Sequence, residues 1–380
     1  DGTTQRRVDQ TRAVLAAVED ERPVALLGHS MATDVLVRVA DGEPRVGPMV
    51  LLSAFSRAID AEHPAHLLLI TGAWEPGLTD FAVEAARMVD QAATEGQTVV
   101  AEGVTRRAVF APYVEHVAIL RSRAGRAEAL EWLNGYYQRD VAVAVPQTGW
   151  ALIALLFAVT WLAWPLASVV PAKTVAPERL SAAQFALVAG VPALAAPLLA
   201  APINIEVLPV LVADYLALHL LIYGVLQLGL LFWLGRRLHR PSGVAALVLI
   251  LWALGAFGLA LDRYGANFWP TGARLPIIAA LALGALPFML ADARAAFGAP
   301  LWQRIVLRVA LLVSLGIAVA LDFEALFFLI MIAPVILLFF LTFGLMGRAF
   351  AARSGPTTVG LALGLVLAWA LGVSFPLFSA

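Results

Sequence analysis

The chain has 380 residues, 61% hydrophobic and 14% charged, with a formal net charge of −1; an average soluble domain is roughly 45–50% apolar and 25% charged. That balance excludes an all-soluble protein, and the near-neutral charge supplies no basic face for nucleic acid phosphates. Cysteine is absent, which removes disulfides, thiolate metal sites and a cysteine nucleophile.

The charge is unevenly spread. Residues 1–149 hold 14 Arg and 20 Asp/Glu, whereas 150–380 hold 12 Lys/Arg and 7 Asp/Glu. A polar segment, 1–145, is therefore expected to precede a membrane segment, 146–380. The first residue is Asp1, with neither a starting Met nor a signal-peptide pattern, so the sequence reads as part of a longer protein.

In the polar segment two periods alternate. Asp9–Asp20 reads as an amphipathic helix with Val8, Val14, Leu15 and Val18 on one side, and Val24–Leu27 as a short buried strand. A helix is expected over 31–40, strands at Met49–Leu52 and Leu67–Thr71, and a helix at Phe81–Ala93. Ala108–Ala111 reads as a fourth strand and Ser122–Tyr137 as a final helix. Helices alternating with continuous apolar strands predict an α/β domain with a mainly parallel sheet.

The candidate chemistry follows the strands. After Val24–Leu27 comes Gly28-His29-Ser30-Met31-Ala32, close to the Gly-x-Ser-x-Gly turn that exposes a serine hydroxyl between strand and helix. The third strand runs into Gly72-Ala73-Trp74-Glu75, and the fourth into Pro112-Tyr113-Val114-Glu115-His116. Serine, acid and histidine thus stand in that chain order, each beyond a different strand. A histidine there would take the serine proton, and a carboxylate would hold its tautomer. Glu75 is the candidate acid, with Asp80 five residues on as the other. His29 reads as packing or polar lining beside the turn rather than a second base, and His63 and His66 as the polar lead-in to a strand rather than a metal pair. Trp132, Tyr136 and Tyr137 are expected to pack the last helix on the sheet or to anchor at an interface.

On these motifs, residues 1–140 resemble the C-terminal two-thirds of an α/β-hydrolase fold domain. Gly28–Ala32 resembles the family's nucleophile turn with Ala32 for the second glycine, Leu67–Glu75 its acid-bearing strand with Glu for Asp, and Pro112–Leu120 its histidine segment. The resemblance implies Ser30 as nucleophile, His116 as general base, Glu75 as orienting acid and the backbone N–H of Met31 as an oxyanion donor. It further implies a serine hydrolase acting on a small acyl ester or amide, with no cofactor and no metal. Only about 14 residues separate the second and third strands, so no inserted cap domain is expected. The family's early strands and its second oxyanion donor would precede this sequence; without them the sheet would keep an unpaired apolar edge and the oxyanion site would lack one donor, which puts the activity of this chain alone at risk.

From Trp150 onward the chain shows long charge-free runs, and a helix needs about 20 apolar residues to cross the hydrocarbon core. Eight spans are expected, near 150–171, 183–203, 207–234, 243–261, 275–291, 303–321, 325–346 and 357–378. Pro192, Pro197 and Pro202 are expected to kink the second span rather than break it. The fold class predicted overall is a partial α/β-hydrolase domain followed by an all-α polytopic bundle, whose partner is the lipid bilayer of a bacterial inner membrane. Asp214 and His219 fall inside the third span, where ionisable groups mark a possible polar site or a structural hydrogen bond between helices; Asp262 closes the fourth. Loops on the side away from the polar domain carry Lys173, Arg179, Arg236, Arg237, Arg240, Arg294, Arg304, Arg308, Arg348 and Arg353. The domain's own side carries Arg139, Arg263 and Arg274. The positive-inside rule then places the polar domain outside the cytoplasm.

Overall fold

A computed structural model describes residues 2–19, 21–173, 175–203 and 207–375. The chain divides into two compact units, Asp1–Gln147 and Thr148–Ala380.

The first unit holds a five-stranded sheet made of β1 (Val24–His29), β2 (Val46–Leu52), β3 (His66–Gly72), β4 (Thr98–Ala101) and β5 (Val104–Ala111). The spatial order is β1-β2-β3-β5-β4. All pairings are parallel except β4 with β5. The helices are α1 (Gly2–Ala16), α2 (Met31–Ala40), α3 (Pro76–Arg87) and α4 (Arg123–Tyr136). The interiors of the central strands β2 and β3, Met49–Leu52 and Leu67–Ile70, are unbroken apolar runs because both faces of the sheet are covered there. Alternation along β3 divides its side chains between two cores. Leu67 and Leu69 pack with Met49, Leu51, Val37 and Ala82, under α2 and α3. Leu68 and Ile70 pack with Val50, Val109, Ile119 and Ala129, under α4. α1 lies on α2 through Val8, Leu15, Val35 and Val39.

Three boundaries differ from the sequence expectation. α1 spans Gly2–Ala16 rather than starting at Asp9; its predicted end, Asp20, lies outside the described residues. α3 begins at Pro76, a first-turn position that needs no backbone N–H, and ends at Arg87 instead of running over 81–93. β4 has no predicted counterpart. It turns into β5 through Glu102 and Gly103, both at positive φ (49° and 85°), the geometry of a two-residue hairpin. Glu in place of Asn or Asp leaves that turn without its usual sequence mark.

On β5, Arg106 is fully buried. Its guanidinium donates to the carbonyls of Ala85, Asp60 and His63, tying the segment after β2 to α3. Desolvation pushes its pKa down to about 10.

The second unit contains eight helices long and apolar enough to cross a membrane: Thr148–Ser168, Ala182–Ile203, Ala213–Trp233, Gly243–Tyr264, Gly272–Ala296, Leu301–Leu321, Leu329–Ser354 and Pro356–Ser374. The first is interrupted at Leu162, three residues ahead of Pro165, which cannot pair one turn back. The second stays helical through Pro192 and Pro197. The third starts at Ala213 instead of 207, and the fifth continues five residues past 291, because Asp292 is matched by Arg308 at 3.2 Å rather than ending the helix. The seventh starts at Leu329, after a separate short helix at Phe323–Leu326. Residues 376–378, the expected close of the last span, lie outside the described residues.

Hydrogen bonds join alternate helix ends. At one end Lys173 N donates to Arg353 O at 2.7 Å, His239 N to Thr357 at 2.9 Å and Arg294 to Glu178 at 2.6 Å. At the other, Arg274 donates to Gly372 O at 3.0 Å and Trp369 to Phe268 O at 2.9 Å. The first end collects the arginines from 236 to 240 and from 294 to 353.

Candidate functional site

A single residue, Ser30, separates β1 from α2. Its backbone holds φ 55° and ψ −127°, a strained setting for a residue with a Cβ, of the kind that costs about 1–3 kcal/mol and concentrates at functional sites. The surroundings enforce it: Ser30 N donates to Leu52 O at 3.0 Å, and Ser30 O accepts from Thr33 N at 2.9 Å. A Cβ at Gly28 would meet Leu36 Cδ1 at 2.6 Å, so a larger residue there would have to displace the Leu36 side chain of α2. Ala32, by contrast, is exposed, and its extra methyl meets no obstacle.

His116 lies in the segment after β5. Its Nε2 is 2.7 Å from Ser30 Oγ and its Nδ1 is 2.6 Å from Glu75 Oε1. The Glu75 carboxylate cannot donate when ionised, so Nδ1 carries the proton and Nε2 accepts from the serine hydroxyl. The His116 side chain is 41% exposed and that of Glu75 only 8%. The serine–imidazole end is therefore reachable from solvent while the acid is enclosed.

The other oxygen of Glu75 is also held. Oε2 accepts from Ser53 Oγ at 2.7 Å and from Gly72 N at 2.9 Å. At Gly72 a Cβ would come within 2.6 Å of Val114 O and 2.8 Å of Glu75 Oε2, so glycine is required for the carboxylate to fold back onto the strand end. The segments after β3 and β5 are stitched together by Ala73 N to Ala111 O at 2.9 Å and Trp74 N to Val114 O at 3.2 Å. Ser30, Ser53, Glu75 and His116 thus stand beyond the carboxyl ends of β1, β2, β3 and β5, where parallel sheets place their ligands.

The sequence-predicted residues fall as follows. Ser30, His116 and Glu75 form one hydrogen-bonded chain. Met31 is the first residue of α2, so its N–H has no carbonyl one turn back to occupy it. Asp80 is exposed on α3, and the imidazole pairs with Glu75 instead. Glu115, beside His116, is used by the backbone: the N–H groups of Val117 and Ala118 bond it at 2.9 and 2.8 Å and hold its carboxyl below the usual range. His66 packs edge-on against Tyr136 with ring centroids 5.0 Å apart, and burial pushes its imidazole pKa down. His63 lies 3.8 Å from Asp60. Tyr137 donates to Pro23 O at 2.6 Å, and Trp132 packs into the core under α4.

Two contributors escape the sequence reading. Ser53, buried and at φ 46°, orients the acid; its only sequence signal is a polar residue directly after an apolar strand. His29 packs beside the turn, and its bond to the histidine segment is the part the sequence does not show. Its Nε2 donates to His116 O at 2.6 Å and its ring lies 4.8 Å from the His116 ring, so it fixes the backbone that carries the imidazole.

A cleft of about 460 Å³ opens at Ser30 and His116, with Met31, Phe55 and Leu78 on its apolar wall and Arg57 and Arg38 on its polar one. Met31, Phe55, Trp74, Tyr113 and Val117 are exposed nearby in sequence to these residues.

In the second unit Asp214 lies in the first turn of the third long helix, and its Oδ2 accepts from Val207 N at 3.1 Å and Leu208 N at 2.9 Å; it closes the preceding segment onto the helix start. His219 is fully buried, with Nε2 3.0 Å from Ser314 Oγ and Nδ1 3.4 Å from the Tyr215 hydroxyl. Among the described residues no hydrogen bond joins Asp214 to His219, and each has its own partners.

No protein-family model, curated protein or solved structure matches the chain.

Proposed function

We propose that the first unit is a serine hydrolase of the α/β-hydrolase type, cleaving an ester or amide through an acyl-enzyme on Ser30. The observation that carries this reading is the continuous chain Ser30 Oγ–His116 Nε2–His116 Nδ1–Glu75 Oε1, with links of 2.7 and 2.6 Å. As Ser30 Oγ attacks the substrate carbonyl carbon, its proton passes to His116 Nε2. Glu75 stabilises the imidazolium that forms. The oxygen of the tetrahedral intermediate develops negative charge toward the Met31 N–H at the N-terminus of α2, where the helix dipole adds to the hydrogen bond. Collapse breaks the bond to the leaving group, which takes the proton from His116. Water, activated by the same imidazole, then attacks the acyl-enzyme and restores the serine.

The apolar wall of the cleft supports an acyl substrate with hydrocarbon character, and the membrane unit that follows in the chain supports one that partitions into lipid. The polypeptide enters the first span at the end opposite the arginine-rich one, which under the positive-inside rule supports a hydrolase unit outside the cytoplasm. The test is labelling of the intact chain in detergent by a fluorophosphonate probe. Wild type is expected to label and Ser30→Ala to lose labelling; equal labelling of the two sinks the assignment. A second reading, favoured by the buried His219–Ser314 pair, makes the first unit a non-catalytic sensor or scaffold for a transporter-like bundle. Solute flux lost in His219→Ala but kept in Ser30→Ala would support that alternative.

A further inference from the structure

Outside the hydrolase site, the strongest cluster of unspent chemistry lies in the membrane unit, at its arginine-rich end. A cavity of about 190 Å³ opens there between the end of the fifth span, the start of the sixth, the end of the seventh and the start of the eighth. Its polar lining is Asp292, Arg304, Arg308 and Arg348. Asp292 is matched by Arg308 at 3.2 Å, and the Arg308 guanidinium also lies 4.7 Å over the Phe340 ring. Arg304 and Arg348 face each other's charge, and among the described residues neither guanidinium has a carboxylate or carbonyl partner. Three cations against one anion leave two positive charges unmatched. The Nε atoms of Arg304 and Arg308 are buried without an acceptor, an arrangement that costs free energy until an acceptor arrives.

Neighbouring arginines at this end are already engaged. Arg236 and Arg294 share Glu178 at 2.8 and 2.6 Å, and Arg353 donates to Ser168 O at 2.9 Å. Arg236 and Arg353 share the buried, acceptor-less Nε but each bonds through another nitrogen, whereas Arg304 and Arg348 have no such bond among the described residues. The rest of the wall is hydrocarbon, from Met289, Val359 and Leu363. A ligand suited to it has a multiply accepting anionic head and an apolar body. Phosphate oxygens match the guanidinium fork in pairs, and basic pockets between helices on the cytoplasmic side are where anionic lipid head groups bind.

We propose that this cavity binds the phosphate head group of an anionic phospholipid, with Arg304 and Arg348 as its ligands and the first acyl carbons along Met289, Val359 and Leu363. The proposal rests on the second unit alone and stands or falls independently of the hydrolase reading.

The experiment is native mass spectrometry of the intact chain in mild detergent, titrated separately with dioctanoyl phosphatidylglycerol, dioctanoyl phosphatidylcholine and inorganic phosphate. Phosphatidylglycerol is expected to bind at least about tenfold more tightly than phosphatidylcholine, since only the former leaves a net negative head for the two unmatched cations. Arg348→Gln, a change at an exposed side chain, is expected to weaken it about tenfold, and Arg304→Gln with Arg348→Gln about a hundredfold, at roughly one decade per charged contact. Arg304→Lys with Arg348→Lys should recover part of the loss, and Arg237→Gln, an exposed arginine at the same end, should change nothing. Arg308 is left intact because its removal would strand buried Asp292. Equal binding of the two lipids, full binding retained in the double Gln variant, or inorganic phosphate binding as tightly as phosphatidylglycerol would each overturn the proposal, the last by showing a site for the free anion.

Discussion

Replacing Glu75 by glutamine changes one atom and tests how the imidazole is held. Ser53 Oγ at 2.7 Å and Gly72 N at 2.9 Å both donate to Oε2, so the new side-chain amide must keep its oxygen there to avoid meeting two donors with an NH₂ group. Its nitrogen then faces His116 Nδ1, which accepts, and the imidazole proton moves to Nε2. That nitrogen can no longer take the Ser30 proton. A tautomer fault of this kind in a serine triad costs about 10⁴-fold in turnover, equivalent to about 5.5 kcal/mol of barrier. Packing and volume are unchanged, so thermal stability should hardly move. The assay is steady-state hydrolysis of a short-chain p-nitrophenyl ester by the intact chain, with the rate of fluorophosphonate labelling as a second readout. Asp80→Asn, at an exposed site away from the imidazole, should behave as wild type. A Glu75→Gln enzyme within tenfold of wild type, or an Asp80→Asn enzyme as impaired as Glu75→Gln, refutes the assignment of the acid.

Other consequences can be checked with the same preparation. Ser53→Ala removes one of the two donors on Oε2 and should lower kcat/KM about tenfold, the value of one charge-assisted hydrogen bond; unchanged kinetics would show that Gly72 N suffices. Arg106→Met keeps an unbranched apolar stem but removes the guanidinium and leaves the carbonyls of Ala85, Asp60 and His63 without their donor. It should destabilise the first unit by roughly 3 kcal/mol, read as a lowered midpoint for heat loss of probe labelling; an unmoved midpoint counts against the bracing role. His66 has its folded pKa depressed by burial, so the unfolded chain binds its proton more readily. Stability from this group is present above the unfolded value near 6.5 and is lost as pH falls through it. The same midpoint should drop between pH 7.5 and 5.5, and His66→Phe should reduce that drop; an identical drop in the variant removes His66 as its source.

Much of this was written in local pattern. The runs at Met49–Leu52 and Leu67–Ile70 are apolar throughout because helices cover both faces of the sheet there, and Val24–Leu27 is apolar too although Leu27, on the edge strand, is exposed; a polar or glycine residue follows each run. The charge-free runs show the spans for a similar reason, since a bilayer tolerates few unmatched charges. What stayed hidden depends on pairing across distant segments. Asp292 looks like the end of a helix until Arg308, sixteen residues on, neutralises it. Thr98–Ala101 buries only Val99, too little to betray it, and becomes a strand only through β5. The role of Ser53 exists only once Glu75 folds back on Gly72.

The carboxylates show the limit most clearly. Asp60, Glu75, Glu115, Asp214, Asp262 and Asp322 each accept a backbone N–H, the usual work of an acid where a chain leaves or enters a regular element. Judged by that bond alone, Glu75 and Asp214 are the same object: an acid beside an element boundary, with one oxygen spent on the backbone. They part at the second oxygen. In Glu75, Oε1 is met at 2.6 Å by an imidazole forty-one residues away, and that imidazole reaches a serine held at positive φ. Asp214 spends the same Oδ2 on two neighbouring N–H groups, and its task ends with the turn it closes. A sequence shows that an acid stands at a boundary, but the distinction between a cap and a candidate catalytic acid lies in the partner brought to its remaining oxygen by the fold.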